Sequence, residues 1–589
     1  MSTACIRSSL LPPLRSSRRR RAIASGTIAA LVLLSASSAA LAQVVPGSAL
    51  PGREREQLLP QQPVPRAQPG GTPIALPGGV APPGAAQTSI VLRKIVVVGA
   101  TVYGAADFAP LYENLVGRKV TLQAVYDVAQ AITAKYGADG YVLTRAIVPP
   151  QELNPGGATV RIEVVEGWID EVEWPRDKLA RYVDFFTHYG AKITGERPVN
   201  IRTMERYLLL ANDLPGLKFT TSLRASKRNR GASTLVVEVT EKRVDVLARV
   251  DNRGTPSRGP LQYLISPTVN NMLGRHEALT FAYAGVSPPR ELQFVAPSYR
   301  QVLTAEGLTA LVNGSYSWGR PGTAALQDIN FRTRGTYIEG GLTYPIIRSR
   351  ERNLMVTALL FMSNNVSWAI FSDNVPFNND RLRGVRTRLD GDFADKLNGI
   401  NQFSLTFSHG FHGLGSTDNN NPEASRPVNP ILGLPGGRVD FTKVELFASR
   451  LQPLPLRFSA LIAGYAQYAA TPLLTPEQCS YGGRTFGRAY DPSEILGDHC
   501  WMASFELRYD VPGVPAALSG TQVYAFTDKG QRYNLATAVG TAATVTGASA
   551  GAGVRLGWLS YFNVDLQAAK AIEGPRSDWR FFFIATARN

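Results

Sequence analysis

The chain has 589 residues, with 62 lysines and arginines against 46 acids, a formal net charge of +16. Beyond its N-terminal region no apolar run reaches the ~18 residues that a membrane-spanning helix needs, which excludes a bundle of such helices. Any passage through a membrane must then use a closed barrel, because open strand edges cannot lie in lipid.

In chain order, Arg18 to Arg21 precede the apolar run AIASGTIAALVLLSA, and Ala40-Leu41-Ala42 stands before Gln43. A basic start, a short apolar stretch and a small-residue cleavage site predict a secretory signal over residues 1–42 and not a retained anchor. Its removal takes six arginines and no acid, leaving a net charge of +10. That surplus suits an anionic envelope surface, and export excludes nucleic acid as a partner. Cys5 leaves with the signal, so Cys479 and Cys500 remain as an even count in an oxidising compartment. A disulfide between them is expected. It would close a loop of roughly 20 residues and stabilise by about 3 kcal/mol. A metal site using His499 beside Cys500 is the weaker alternative, and no metal or other cofactor is expected.

Residues 43–88 are rich in proline and glycine and predict an extended, semi-rigid tether. Within it GREREQLL predicts at most a short helix. Residues 89–166 and 167–241 then repeat one order of elements, strand-helix-helix-strand-strand. The first copy reads SIVLRKIVVVG, GAADFAPLYENLVG, LQAVYDVAQAITAKYG, GYVLTRAIVP and ATVRIEVVEG. In its second helix Leu122, Val125, Tyr126, Ala129, Ile132 and Tyr136 form a one-sided apolar stripe. The second copy runs from WIDEVEW to ASTLVVEVTE. Both read as small α+β modules.

From residue 242 to 589 helical periodicity gives way to alternation. Phe403, Leu405 and Phe407 oppose Ser404, Thr406 and Ser408; Phe505, Leu507 and Tyr509 oppose Glu506, Arg508 and Asp510; Val554, Leu556 and Trp558 oppose Arg555. Apolar-out, polar-in segments divided by glycine, asparagine and aspartate turns predict a transmembrane antiparallel β-barrel of about 16 strands. A soluble sandwich fits less well, since the alternation persists to the C-terminus with few helical breaks.

Catalytic patterns fail their structural requirements. GASAG, Gly547 to Gly551, matches a nucleophile motif that needs a strand-to-helix turn in an α/β sheet, and here it predicts a turn between strands. His409 and His412 are three apart on a strand and point to opposite faces, so they cannot chelate one ion. No phosphate-cradling loop is present, and no enzyme is expected.

The segments GYVLTRAIVPPQ and VRIEVVEGWIDEV resemble polypeptide-transport-associated (POTRA) modules of the haemolysin/haemagglutinin secretion type. LTYPIIRSRERNL, GDFADKLNGINQFSLTFSHGF and GGRTFGRAYDPSEILGDHCWMASFELRYD resemble transporter subunits of two-partner (type V) secretion, the ShlB/FhaC/HecB type within the BamA-like superfamily. The resemblance covers nearly the whole mature chain apart from the tether. It implies an outer-membrane exporter with periplasmic POTRA domains, a large secreted client passed unfolded, outer-membrane lipid around the barrel, and insertion by the barrel assembly machinery. An assembly factor of the same superfamily and a solute porin are the rival readings.

The resemblance also implies that the sixth extracellular loop folds into the lumen with an arginine motif at its tip, here Gly487-Arg488-Ala489-Tyr490. Relatives often have glycine after the arginine, so Ala489 would be strained if that position required a positive φ. The implied wall partner is a Phe-x-Asp strand motif, here Phe526-Thr527-Asp528. Phe526 and Asp528 share one face of QVYAFTDKG, and a carboxylate is costly against lipid, so that face should be the lumen. Arg488 would then pair with Asp528 and lie on the ring of Phe526. Two features depart from the family pattern. GREREQLL is shorter than the usual pore-plugging helix, and the chain ends in Asn589 where an aromatic is usual, leaving Phe581 to Phe583 as the candidate assembly signal.

Overall fold

The computed structural model describes residues 45–59, 65–68, 81–175, 179, 183–229, 231–370, 375–431, 433–518, 520–537, 542–559 and 561–589. The expected signal segment, residues 1–42 with Cys5, lies outside them. Among the described residues, sixteen antiparallel strands close into a barrel that begins with Val244–Asp251 and ends with Trp579–Arg588, the last strand pairing back on the first. The alternation sets the inside and outside as expected. Phe505 and Leu507 stand on the outer wall, while Glu506 between them is buried in the lumen. Leu405 and Phe407 face out, and Ser408 faces in.

Ahead of the barrel stand two α+β units. The first sheet has the order Lys119–Thr121, Ser89–Val98, Ala158–Val165, Arg145–Ile147. Helix Leu122–Ala138 packs Val125, Ala129, Ile132 and Tyr136 into its core, and the Thr121 hydroxyl caps it by accepting from the Ala124 amide at 3.3 Å. The second sheet has the order Trp168–Glu173, Ala232–Glu241, Leu217–Ala225, covered by helices Val183–Thr194 and Ile201–Asn212. Two elements are shorter than the sequence predicts. GAADFAPLYENLVG keeps one helical turn, Ala105–Phe108, and continues in 3₁₀ turns, because Pro110 cannot supply an amide to a continuing helix. GYVLTRAIVP pairs only over Arg145–Ile147, with a turn at Val142 and Leu143 ahead of it.

The tether reading fails over residues 45–59. This stretch lies inside the barrel, with helix Glu54–Leu58 at its end. The Arg258 guanidinium, itself fully buried, donates to the carbonyls of Ser48 (3.2 Å) and Ala49 (2.7 Å), to Glu54 Oε1 (3.3 Å) and to Thr333 Oγ1 on the wall (3.1 Å). Leu58 packs on Leu264, Ala284 and Phe294. A segment this short has no core of its own, and the lumen supplies one; composition alone could not register that partner.

Candidate functional site

Loop 470–498, between strands Phe458–Ala469 and His499–Asp510, turns back into the lumen as a small hairpin of Cys479–Tyr481 and Ile495–Gly497. Cys479 and Cys500 meet at its base with Cα atoms 6.5 Å apart. Asp498, also at the base, accepts from the amides of Leu473 and Leu535 (both 2.9 Å) and from the Arg426 guanidinium. The tip turns at Gly487, whose φ of +67° admits glycine readily. A Cβ there would also stand 2.7 Å from the Tyr481 ring. Ala489 is fully buried and is not among the positive-φ positions. The condition under which Ala489 would be strained is thus not met, because the left-handed step falls on Gly487.

Arg488 reaches the wall strand Gln522–Asn534. Its Nη2 donates to Asp528 Oδ1 at 2.9 Å, while Nε and the backbone amide both donate to Oδ2 at 3.1 Å. The guanidinium carbon sits 3.5 Å from the centroid of the Phe526 ring. Tyr490 donates to the carbonyls of Ala548 (3.3 Å) and Glu573, and its ring lies 5.3 Å from that of Tyr481. All of these groups are almost fully buried, so the fork is desolvated on both sides and its charge-assisted bonds are of the strong kind.

Three partners in this cluster escaped the sequence reading. Glu506 on the neighbouring strand forms an ion pair with Arg488 Nη1, and it also holds Arg508 (2.7 Å) and Arg555 (2.8 Å). Ser504 accepts from Arg488 Nη2 at 3.1 Å, and Ser549 donates to Asp528 Oδ2 at 3.1 Å. Ser504, Asp528 and Ser549 stand directly across from one another on three adjacent strands. The GASAG stretch is therefore within strand Ala543–Trp558 and not a turn; its serine completes the aspartate's shell. For Glu506 the signal was present, since its strand alternates and places it on the polar face.

The segment in the lumen and the loop hold each other. Arg53 donates to the carbonyls of Gln478 (2.6 Å) and Pro476 (3.3 Å), and Ser480 donates to Glu56 at 2.8 Å. Arg55 pairs with Glu339 on the wall at 3.1 Å and lies 3.7 Å above the Tyr337 ring. Between segment, loop and wall a cavity of about 700 Å³ remains, lined by charged groups including Arg386, Glu445 and Arg484.

At the other end of the barrel the second α+β unit is bolted to the wall's turns. Glu306, in the turn between two strands, accepts from Tyr207 (2.9 Å), His188 (3.2 Å) and Arg206 (3.3 Å). Burial pushes its carboxyl upward, but these hydrogen bonds outweigh that and hold it below the usual range. Arg348 makes a two-pronged pair with Asp213, at 2.7 and 2.9 Å.

The family description "POTRA domain, ShlB-type" matches residues 90–167, and "Haemolysin secretion/activation protein ShlB/FhaC/HecB" matches residues 231–555. The chain is 22% identical to the heme/hemopexin transporter protein HuxB of Haemophilus influenzae over 476 residues, covering 79% of this chain and 80% of that one. It is 24% identical to the outer membrane transporter CdiB of Dickeya dadantii over 485 residues, covering 80% and 81%. The solved structure of CdiB from Escherichia coli superposes with a TM-score of 0.66 at 19% identity, over 88% of this chain and 94% of that one. CdiB from Acinetobacter baumannii gives 0.56 at 15% identity, over 90% and 95%. With a family match spanning more than half its length, and a fold of α+β units leading into a sixteen-strand barrel, this chain belongs to the ShlB/FhaC/HecB haemolysin secretion/activation family.

Proposed function

We propose that the protein exports one large partner protein across the outer membrane by two-partner secretion, and that Arg488, Asp528 and Phe526 lock its sixth extracellular loop in the resting position. The barrel spans the outer membrane and the POTRA modules stand in the periplasm. The observation that carries the reading is a barrel whose lumen is filled by two segments of its own chain, residues 45–59 and 470–498, each tied to the wall by hydrogen bonds and ion pairs as well as by apolar packing. A fixed solute pore has no use for removable fillings or for periplasmic modules bolted to its rim. The partner would pass unfolded, and its folding outside would bias the direction of movement with no catalytic step. Insertion of the barrel itself falls to the barrel assembly machinery.

Client capture is assigned to the POTRA modules, whose outer strands Arg145–Ile147 and Leu217–Ala225 lie at sheet edges and can accept an added strand. Deleting residues 89–165 should abolish export while leaving a barrel that still shows heat-modifiable migration. Normal secretion of the native client by that deletion would remove the modules from recognition.

The disulfide is the second testable element. Mass mapping of the non-reduced mature protein is expected to recover a linked peptide pair containing Cys479 and Cys500. It should steady the loop base by about 3 kcal/mol on the chain-entropy account; two free thiols in protein taken directly from the envelope would refute it.

A further inference from the structure

We propose that the outer wall at the extracellular end of strands Arg332–Arg348, Arg352–Trp368 and Asn378–Ala394 is a docking site for a phosphorylated glycolipid of the outer leaflet. Three exposed arginines, Arg332, Arg334 and Arg381, define it. Their direction follows from the strand alternation. Thr333, between the first two, points into the lumen and accepts from Arg258, so Arg332 and Arg334 point outward. Leu382 is fully buried, so Arg381 beside it also points outward.

Their height matches lipid headgroups. Below them on the outer face of the first strand come Ile338, Leu342 and Tyr344, all exposed. The interval from Tyr344 to Arg334 rises roughly 25 Å at about 3.3 Å per residue and ~40° of tilt, the height of a barrel's apolar band. Arg334 sits directly across from Trp318, and its guanidinium carbon lies 5.6 Å from the Trp368 ring. Tryptophans at this level mark the membrane–water interface.

Among the described residues the charge at this interface has no ion-pair partner. Among them, the Arg332 and Arg381 guanidinium groups donate to the nearby Asn330 and Asn379 side chains, at 3.4 and 3.3 Å. Among the described residues no carboxylate forms an ion pair with any of the three. On the far wall, by contrast, Lys529 pairs with Glu573 at 2.9 Å. Arg334 and Arg381 stand on strands separated by one, roughly 12 Å apart at their Cα atoms given a strand spacing of about 4.8 Å, so their long side chains can converge on one phosphate. Guanidinium forks suit phosphate oxygens, and the apolar wall beneath gives acyl chains a surface. A phosphate on an acylated sugar satisfies both halves of the patch at once; an acidic segment of the exported partner would satisfy only the upper half.

The test uses the full mature protein in zwitterionic detergent micelles, titrated with bis-phosphorylated lipid A and with its phosphate-free form, and read by native mass spectrometry. The wild type should bind the phosphorylated lipid on the order of a hundredfold more tightly than the phosphate-free form. The triple variant Arg332→Gln/Arg334→Gln/Arg381→Gln should weaken that binding on the order of a hundredfold, as loss of three interfacial charges implies, and leave the phosphate-free form unaffected. Lys529→Gln/Lys570→Gln, on the far wall, should change neither. If the triple glutamine variant fails to migrate as a folded barrel, the triple lysine variant replaces it and should retain part of the preference. Equal affinity for the two lipids, an unaltered preference in the triple variant, or loss of client secretion with lipid binding intact would each overturn the proposal, the last in favour of an acidic protein segment.

Discussion

Arg488→Ala is expected to reduce secretion of the native client more than Asp528→Ala, with the double variant little worse than Arg488→Ala alone. The asymmetry follows from what each change leaves behind. Without the Arg488 side chain, Asp528 is a buried carboxylate left with the residue-488 amide and the Ser549 hydroxyl, both at 3.1 Å on one oxygen. Without Asp528, Arg488 keeps Glu506, Ser504 and the Phe526 face. Stranding a buried charge costs about 3–5 kcal/mol, so the arginine deletion should carry a cost near the upper end of that range. Glu506 is buffered by Arg508 and Arg555 and should not be stranded by either change. Arg488→Lys keeps the charge but loses the planar fork that spans both carboxylate oxygens, so rescue should be partial. The measurement is a double-mutant cycle on secretion, with barrel folding checked by heat modifiability. Additive losses, or full secretion by Arg488→Ala, would show that the arginine does not act through the wall.

Much of this cluster was legible, for identifiable reasons. Phe526 and Asp528 were readable through the Phe-x-Asp motif that the family resemblance implies, and the period-2 strand agreed with it by putting both on one face, with a carboxylate that belongs in the lumen. Ser549 was not. Its surroundings, glycine and alanine in TGASAGAG, look like a turn, because strand glycines are usually depleted. The structure shows why they stand in a strand here. A Cβ at Gly547 would lie 2.6 Å from the Tyr481 ring, and one at Gly551 would lie 2.6 Å from the Phe526 ring. Glycine inside a strand signals close approach by another group, and the approaching groups are the loop's own aromatic and the lock's ring. That rule was available from sequence, but the identity of the intruder required the loop to be placed. Residues 45–59 failed for a different reason: their partners Arg258 and Glu339 are hundreds of positions away, and no local periodicity records them.

The last consequence concerns that segment. Deleting residues 45–59 should convert a quiet barrel into one with frequent, long openings in planar bilayers, and Arg258→Ala should do so to a lesser degree. Arg258 is the segment's main clamp: removing it strands the carbonyls of Ser48 and Ala49 and leaves Glu54 with the Gly52 amide, at 2.8 Å, as its nearest donor. Breaking a buried, hydrogen-bonded pair of this kind costs about 3 kcal/mol. At about 1.4 kcal/mol per tenfold, the open fraction should rise by roughly two orders of magnitude. Arg53 and Glu56 tie the same segment to loop 470–498, so the Arg258 variant should also loosen the loop. Protease nicking at its hairpin should then become detectable in the variant and stay absent in the wild type. If the deletion conducts no more than the wild type, the loop alone closes the pore and the segment's contacts are incidental to gating. If Arg258→Ala is silent while the deletion conducts, Arg53 and Arg55 suffice as anchors, and the clamp assigned to Arg258 is wrong.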